Sequence, residues 1–587
     1  MENDSLIKKR LLFIVVISLI FIILIGRFFY LQIYMQATYL RESEKNRIRE
    51  VTLQPTRGLI VDRGGHILVD NIPSYSVYAI PFEVAKSDSV IELLSEIIEV
   101  PVEDIKDKIK KNERSPFSPV KLKRMIDFEM LSKIEESRLE LPGVIYDIEP
   151  RRYYPSTVQA LHLFGYLGEI NSRELEEYTG KGYQIGDIVG KKGLEKVYDE
   201  QLKGVRGFRY IEVDALGREV RLLSSRPEIL PIPGRNLHLS IDSKLQSFIQ
   251  SRMDTLRGGA VVVDCRNGEI LALVSKPDYD PEIFTKPITP DVWNRLLNDP
   301  GKPLYDRMVQ SIYPPGSTYK LVLATAALET KSIDKDWRST CQGTYRFGRR
   351  NFDCWRLEGH GELDLLGAIE QSCNVYFYRL GLHVGIDRWS DFSARLRIGE
   401  KTGIDLYEEN KGILPSTSFL DTKYGKGKWS KGLLVNLAVG QGDLLITPLQ
   451  LASMAMILAN RGVYYKFHLV RSIEDPIDLN HWHVPVDSTV IEGISQETYN
   501  IVRQGMYNVV HGAHGTGRIC RFADLEVAGK TGTAQNPHGE PHAWFIGFVP
   551  FQNPEIAFCV LVENGGGGSA VAAPIARDII RTYYSRQ

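Results

Sequence analysis

The apolar positions at the start of the chain form one long run rather than a periodic pattern. From Leu11 the sequence reads LLFIVVISLIFIILIGRFFYLQIY, and Arg27 is its only charged residue. The hydrocarbon core of a bilayer requires about 20 apolar residues in a helix, so the run predicts a membrane-spanning helix over residues 11–33. A buried helix of a soluble protein is the alternative. A cleavable signal peptide would be shorter and would end in small residues, whereas Phe28 and Phe29 follow Arg27 here.

Charged residues before this run predict its orientation. Lys8, Lys9 and Arg10 precede it, and basic residues beside a spanning helix stay in the cytoplasm. We therefore expect residues 1–10 to be a cytoplasmic tail. The protein is then a single-pass protein of the cytoplasmic (inner) membrane, with the rest of the chain in the periplasm.

Beyond the run, short mixed elements lead to a proline-rich stretch. The segment RGLIVDRGGHILVDN, from Arg57, predicts a strand, a Gly-Gly turn and a second strand. Helical periodicity with many charges predicts a small inserted head subdomain at about residues 80–150. The stretch PEILPIPGRN, which ends at Asn236, has no periodic pattern and predicts a domain boundary. Residues 34–235 and 236–587 are thus expected to be separate domains.

The second domain combines strand and helix patterns that fit one sheet. The segment GGAVVVDCRNGEILALVSK predicts a hairpin, STYKLVLATAAL predicts a helix from Ser317 to Leu328, and three apolar segments near the C-terminus predict consecutive strands. A last helix is expected at about residues 572–584. Strands at both ends with helices between them predict an α+β fold, with an antiparallel sheet packed between helices.

Length, charge and cysteine content exclude some classes of protein. A chain of 587 residues is too long for one core. A formal net charge of −1 gives no electrostatic case for nucleic acid. Six cysteines are too few for a scaffold built from disulfides.

The stretch YPPGSTYK brings a serine and a lysine to one helix face. Lys320 follows Ser317 by one turn. A serine hydroxyl becomes a nucleophile when a neighbouring base takes its proton, and a lysine is a base only when burial or nearby positive charge keeps it neutral. The N–H groups at a helix start favour developing negative charge. Ser-x-x-Lys is nevertheless a short pattern, and it recurs at Ser5, Ser118 and Ser332.

Two further motifs strengthen this interpretation. QSCNVYFY contains Ser372 and Asn374, whose hydroxyl and amide can point at one place; taken alone, the pattern is better explained as a helix N-cap. GKTGTAQ puts Lys530 in a predicted edge strand, where Gly532 leaves room for a substrate backbone. A plain exposed strand is the alternative. Ser-x-x-Lys, Ser-x-Asn and Lys-Thr-Gly, in this order, form the triplet of the penicillin-recognising serine enzymes.

With this triplet the chain resembles a class B penicillin-binding protein, a peptidoglycan D,D-transpeptidase, over nearly its whole length. RGLIVDRGG, GKKGLEKVYDEQLKG and GQGDLLITPLQLA are similar to further motifs of that family. The resemblance implies an elongated mixed pedestal of the dimerisation type over residues 34–235. It also implies a transpeptidase domain over residues 236–587, whose five-stranded antiparallel sheet lies between helices, as in serine β-lactamases.

The resemblance implies a role for each motif residue. Ser317 attacks the D-Ala–D-Ala peptide of a stem pentapeptide to form an acyl-enzyme, and Lys320 is the base for that step. Ser372 and Asn374 relay protons and hold the lysine. Backbone N–H groups of Ser317 and Thr533 form the oxyanion hole. The substrate-binding strand contributes Lys530, Thr531, Gly532 and Thr533.

The same resemblance implies the second substrate, the inhibitors and the partners. An amine from another stem peptide takes the acyl group, and β-lactams trap the serine because they mimic D-Ala–D-Ala. No glycan-polymerising domain precedes the pedestal, so a SEDS-type membrane polymerase and other proteins of the elongation complex are the expected partners.

A Cys/His cluster favours the elongation branch of the family, the penicillin-binding protein 2 type. Three thiolates and one imidazole, from Cys341, Cys354, His360 and Cys373, match a closed structural zinc site. Some elongation-type members resemble this with aspartate ligands, and Cys354 stands where such an aspartate would be, next to Asp353. The alternative is a Cys341–Cys354 disulfide with Cys373 as a buried thiol.

Several other functions stay open. A D,D-carboxypeptidase or a β-lactamase would release the acyl group with water, but a β-lactamase does not need a pedestal. A non-catalytic β-lactam sensor or scaffold would usually carry several spans or a signalling domain. A division-type transpeptidase is the closest rival, and only the Cys/His cluster argues against it.

Overall fold

A computed structural model describes the chain over residues 2–36, 48–112, 116, 119–155, 158–213, 219–223, 226–286, 288–334 and 336–585. Ser118 and Lys335, which belong to two of the other Ser-x-x-Lys patterns, lie outside the described residues.

The fold mixes helices and strands throughout, as predicted. The strands are Ile48–Leu53, Ile60–Val61, Ile67–Ala79, Val120–Ile126, Val144–Tyr153, Leu167–Glu169, Ile188–Gly190, Gly207–Val213, Glu219–Leu222, Asn236–Leu239, Gly258–Asp264, Ile270–Lys276, Ser339–Cys341, Thr344–Phe347, Arg350–Asp353, Gly361–Leu363, Val463–Tyr465, Val470–Glu474, His481–His483, Ser488–Val490, Ala528–Ala534, His542–Val549 and Ile556–Val562. The α-helices are Glu2–Phe29, Pro81–Val84, Asp88–Ile98, Val102–Asn112, Phe128–Glu136, Leu161–Phe164, Ser172–Glu177, Gly193–Val197, Asp199–Leu202, Ser243–Arg252, Pro290–Asn298, Lys320–Glu329, Leu365–Glu370, Asn374–Val384, Ile386–Arg395, Thr417–Tyr424, Gly432–Leu437, Pro448–Ala459, Gln496–His511 and Ala572–Tyr584. The 3₁₀ helices are Pro281–Thr285, Gly316–Tyr319 and Arg518–Cys520, and Tyr30–Tyr34 is a π-helix.

The predicted membrane span is helical. The segment Ile7–Tyr34 has a mean hydropathy of 3.0 over its most apolar window and is long enough to cross a bilayer. None of that window is buried against the rest of the protein. The helix is therefore suited to a membrane anchor, because its apolar side chains have no protein core to cover them.

One compact unit consists of Met1–Thr56, Pro73–Pro150 and Gly204–Ile232. Its apolar core is built by the amphipathic helix Asp88–Ile98, whose residues Leu94 and Ile98 are fully buried. They pack in one cluster with Val77 and Leu122. Apolar residues that recur every three to four positions on a helix need a partner surface, which this core supplies. The head subdomain at about residues 80–150 stays a prediction.

The other compact unit consists of Arg57–Ile72, Arg151–Lys203 and Pro233–Gln587. Within it, the pedestal motifs meet in a buried ionic cluster. Glu195 pairs with Arg57 at 2.6 Å and with Arg152 at 2.8 Å, and Arg57 also pairs with Asp199 at 2.6 Å. Two guanidinium groups and two carboxylates balance one another away from water, which explains why RGLIVDRGG and GLEKVYDEQL carry these charges. The predicted boundary near residue 235 stays a prediction.

An antiparallel five-stranded sheet forms the centre of this unit, as predicted. Its strands follow one another in space in the order Ile270–Lys276, Gly258–Asp264, Ile556–Val562, His542–Val549 and Ala528–Ala534. Alternate residues cover its two faces: Val261 packs in the larger core with helix Pro448–Ala459, whereas Val262 packs with the helices Ser243–Arg252 and Ala572–Tyr584. The strand Ala528–Ala534 is an edge strand, so one side of it is available for other contacts.

Candidate active site

Ser317 lies in a tight turn that begins a helix. Gly316–Tyr319 is a single 3₁₀ turn that continues into the α-helix Lys320–Glu329, whereas the sequence predicted one helix from Ser317. Side chains at positions i and i+3 eclipse each other in a 3₁₀ helix. Ser317 in this turn and Lys320 at the start of the α-helix are three positions apart, so their side chains leave the helix start on one side.

Glycine at position 316 is required by the backbone. Gly316 has φ +56°, and its N–H donates to the carbonyl of Gly440 at 3.0 Å. A Cβ there would lie 2.8 Å from the carbonyl oxygen of Thr533. The serine turn is thus held between the edge strand and the segment GQGDLLITPLQLA, which explains the place of that segment in the fold.

The edge strand packs directly against the serine turn. A Cβ at Gly532 would lie 2.9 Å from Cγ2 of Thr318 and 3.1 Å from the carbonyl oxygen of Pro315. The indole N–H of Trp544, on the next strand, donates to the carbonyl of Pro314 at 3.2 Å. From the sequence we expected the space beside Gly532 to admit a substrate backbone, but the serine turn itself fills the side where a Cβ would project.

Lys320 is fully buried at the start of its helix. Its Nζ donates to the carbonyl of Ser372 and to Oδ1 of Asn374, both at 2.7 Å, and lies 3.3 Å from Oγ of Ser372. Burial lowers the pKa of Lys320 to about 8, because the ammonium form loses its hydration. A minor but useful share of neutral amine, on the order of a tenth, is therefore present at neutral pH.

Ser372 connects the two lysines of the motifs. Its Oγ lies 2.8 Å from Nζ of Lys530, which is also fully buried. Burial, and then the neighbouring Lys320, hold the pKa of Lys530 well below its usual range. The hydroxyl of Ser372 therefore contacts the amines of both Lys320 and Lys530, and a proton can pass from Lys320 to this hydroxyl.

Ser372 has a strained backbone, with φ +54°. A non-glycine residue in this region costs about 1–3 kcal/mol and persists only where its surroundings hold it. The hydrogen bonds from Lys320 to the carbonyl of Ser372 and from Lys530 to its hydroxyl keep the residue in this conformation. The helix Asn374–Val384 begins next to it, and its N-cap is Cys373, whose sulfur accepts from the N–H of Tyr376 at 3.5 Å. The motif thus contains a helix N-cap, but the capping residue is Cys373 rather than Ser372.

The far part of the edge strand carries hydroxyl groups. Oγ1 of Thr531 is 2.7 Å from Oγ1 of Thr516, and Oγ1 of Thr533 accepts from the N–H of Gly568 at 3.2 Å. Sequence reasoning missed Thr516 and Gly568, since neither is part of a motif. The short stretch HGTG before a strand and the run GGGG after the last strand were the only local signals.

The four Cys/His residues come together beside Ser372. The ligand atoms of Cys341, Cys354, His360 and Cys373 all lie within 4.8 Å of one another. Nδ1 of His360 is 3.5 Å from the sulfurs of both Cys341 and Cys354. All three cysteines are free thiols, so no Cys341–Cys354 disulfide is formed. The side chain of Asp353 is instead exposed and accepts from Thr344.

A hydrogen bond between the sulfurs of Cys354 and Cys373 shifts the pKa values of the two thiols in opposite directions. The bond lowers the pKa of the Cys354 thiol and raises that of the Cys373 thiol, because one sulfur donates to the other. The N–H of Asn374 also donates to the sulfur of Cys354 at 3.3 Å. The sulfur of Cys354 thus accepts a hydrogen bond from the backbone of the Ser-x-Asn motif.

Comparison with known proteins is consistent with this geometry. Residues 258–581 match the family described as "Penicillin binding protein transpeptidase domain", and residues 52–239 match "Penicillin-binding Protein dimerisation domain". The chain belongs to the class B penicillin-binding proteins. It is 33% identical over 612 residues to "Peptidoglycan D,D-transpeptidase MrdA" of Haemophilus influenzae, covering 100% of this chain and 93% of the relative.

Two solved structures are also similar to this chain. "Complex between Penicillin-Binding Protein (PBP2) and MreC from Helicobacter pylori" superposes with a TM-score of 0.80 at 28% identity, covering 92% of this chain and 99% of that one. "Structural coordination of polymerization and crosslinking by a peptidoglycan synthase complex" gives a TM-score of 0.71 at 26% identity, covering 98% and 99%. The predicted family, fold and serine D,D-transpeptidase activity of the elongation type are therefore confirmed.

Proposed function

We propose that the protein cross-links peptidoglycan stem peptides during cell-wall elongation and cell-shape maintenance, with Ser317 as the nucleophile. The observation that carries this assignment is the pair of buried lysines on one hydroxyl: Ser372 Oγ is 2.8 Å from Lys530 and 3.3 Å from Lys320. A structural lysine would normally pair with a carboxylate, whereas these two have neutral partners.

The first step forms an acyl-enzyme. Oγ of Ser317 attacks the carbonyl carbon of the penultimate D-Ala while Lys320 takes its proton. The oxyanion is stabilised by the backbone N–H groups of Ser317 and Thr533. When the C–N bond breaks, Ser372 passes the proton from Lys320 to the leaving amine, and the terminal D-Ala departs.

The second step transfers the acyl group. Neutral Lys320 accepts a proton from the amine of a second stem peptide as that amine attacks the ester carbonyl. The new peptide bond forms, the ester bond breaks, and Ser317 recovers its proton. Asn374 keeps Lys320 in place through the 2.7 Å hydrogen bond to its Oδ1.

Substrate and β-lactams bind along the edge strand. Lys530 and Thr531 would receive the terminal carboxylate of D-Ala, and Gly532 lets the strand lie close to the serine turn. A β-lactam presents a similar carboxylate and a strained amide, so its ring opens on Ser317 and the leaving group stays attached.

The relatives suggest membrane partners. The solved structures of similar proteins include a complex with MreC and a peptidoglycan synthase complex. We propose a SEDS-type glycan polymerase and proteins of the elongation complex as partners of this chain. The apolar helix Ile7–Tyr34 would anchor it in the cytoplasmic membrane, with the catalytic domain in the periplasm.

The Cys/His cluster fits a structural zinc ion. Three free thiols and one imidazole converge within 4.8 Å, and a closed set of four such ligands is typical of structural zinc. Cys341, Cys354, His360 and Cys373 would hold the ion. Its contribution would be structural, because Cys373 stands between Ser372 and Asn374 and would fix both. The transpeptidase chemistry needs no cofactor.

Intact-mass spectrometry of the purified protein tests this function. We expect one penicilloyl adduct per chain, lost in Ser317→Ala and retained in the control Ser332→Ala, which removes the serine of another Ser-x-x-Lys pattern. Without denaturant, the mass should also show a zinc ion at the Cys/His cluster, so that Cys354→Ser holds one zinc ion fewer than the wild type.

Each alternative function gives a different outcome. A short-lived adduct with rapid hydrolysis would indicate a β-lactamase, and absence of any adduct would leave a scaffold. With a stem pentapeptide and an acceptor amine, cross-linked dimer identifies the transpeptidase, whereas tetrapeptide alone identifies a carboxypeptidase.

A further inference from the structure

A second histidine cluster lies on three neighbouring strands away from the serine site. The strands are, in spatial order, His481–His483, Val470–Glu474 and Asn236–Leu239. Glu474 is paired directly with Asn236 on one side and with His481 on the other. Directly paired residues project from the same face of a sheet. His238 is two residues after Asn236 and therefore shares that face.

The ligand atoms of this cluster are already close together. Nε2 of His238 lies 2.9 Å from Oε2 of Glu474, and Nε2 of His481 lies 3.6 Å from Oε1. All three ligand atoms are within 4.8 Å of one another. Two different oxygens of one carboxylate thus face two different imidazoles, and a shift of about an ångström would bring all three groups to an ion at usual Zn–N and Zn–O distances of about 2.0–2.2 Å.

The nearby cations belong to the other face. Arg235 and Arg471 alternate with the cluster residues along their strands, so they project from the opposite side. Arg235 pairs with Asp475 at 3.7 Å, and Arg471 pairs with Glu269 at 2.9 Å. The carboxylate of Glu474 therefore faces the two histidines and the amide of Asn236 rather than these arginines.

The cluster also has an outer partner that orients the carboxylate. Nδ2 of Asn236 donates to Oε2 of Glu474 at 3.0 Å. Hydrogen bonds of this kind hold metal ligands in position. A simple histidine–glutamate hydrogen bond would account for His238 alone, but it does not explain why His481 also turns its Nε2 toward the same carboxylate.

We propose that His238, Glu474 and His481 form a binding site for a divalent transition-metal ion of the zinc class. Two imidazoles and a carboxylate suit zinc, copper or nickel rather than calcium or magnesium, which prefer oxygen ligands. Three protein ligands leave one position for water. The side chains are 27%, 18% and 40% exposed, so an ion can reach them from solvent.

A bound ion would fasten the edge of the sheet. His481–His483 is the outermost strand, and its three residues are exposed. Such a strand has few buried contacts of its own. An ion that joins His481 to His238 would link it across the middle strand, and any ligand that binds only the folded form stabilises it.

The test is zinc binding by the full-length protein in detergent, stripped with EDTA and then dialysed against buffered micromolar free Zn²⁺. We expect His238→Asn and His481→Asn to bind one equivalent of zinc fewer than the wild type. The matched control is His483→Asn, on the same strand and face but outside the cluster. All variants keep the Cys/His cluster, so its zinc cancels.

Two further measurements separate a site from general loss of structure. The melting temperature in EDTA should be the same for all variants, whereas added zinc should raise it more for the wild type than for His481→Asn. Asn236→Ala should weaken this zinc equivalent by about 10–100-fold. Equal zinc content in all variants would overturn the proposal. Loss of an equivalent in His483→Asn would do so too, since it would mean another ligand set.

Discussion

The pH dependence of acylation should follow the ionisation of Lys320. Burial lowers its pKa from 10.5 to about 8, a penalty on the charged form of roughly 3 kcal/mol at about 1.4 kcal/mol per pKa unit. Only the neutral amine can accept the proton of Ser317. With a pKa of about 8, the neutral fraction is about 1% at pH 6, about 10% at pH 7 and about 90% at pH 9.

The assay is the second-order rate constant for acylation by a fluorescent penicillin, measured by stopped flow from pH 6 to pH 10. We expect the rate to rise about tenfold per unit at low pH and to level off above about pH 9. The sign follows from the lysine: protonation removes the base, so activity is lost as pH falls. Lys320→Arg is the control, because a guanidinium stays protonated over this range.

Two results would refute this reasoning. If the rate continues to rise tenfold per unit up to pH 10, Lys320 keeps its ordinary pKa and burial does not activate it. If the rate is independent of pH, or if Lys320→Arg reacts as fast as the wild type while its melting temperature is unchanged, another group is the base.

Two further predictions concern packing. Glu195→Gln leaves two buried guanidinium groups with too little negative charge and should lower the free energy of unfolding by about 3–5 kcal/mol. The surface variant Glu200→Gln is the control and should lower it by about 0–1 kcal/mol. Equal melting temperatures of the two variants in calorimetry would contradict this prediction. Gly532→Ala puts a Cβ 2.9 Å from Thr318 and should slow acylation about 100-fold, because it displaces the serine turn. The control is Gly539→Ala, whose added Cβ would have no neighbouring atom closer than 3.4 Å; it should react like the wild type.

Local patterns in the sequence predicted several elements closely. The strand at GKTGTAQ, the two that follow it and the last helix were expected from short apolar segments and their turns, and they lie at Ala528–Ala534, His542–Val549, Ile556–Val562 and Ala572–Tyr584. These elements depend on residues next to one another in the chain, so period and turn composition are sufficient to locate them.

The candidate site depended on more distant contacts. Lys320 and Ser372 are 52 positions apart, and Ser372 and Lys530 are 158 apart, yet they share one hydroxyl. The motifs named these residues, but only the fold assigns Ser372 its left-handed backbone and brings Thr516 to Thr531. A local sequence motif does not predict such contacts, because they arise where elements that are distant in the chain pack together.

The sequence by itself determined the membrane-spanning run, the order of the catalytic motifs and the types of groups that the chemistry needs. The tertiary structure decided which of these groups are buried, and burial sets the pKa of Lys320 and Lys530. It also decided that Gly532 makes room for the serine turn and that His238, Glu474 and His481 share one face of a sheet. Burial and strand pairing are properties of surfaces in contact, and a chain acquires them only when it folds.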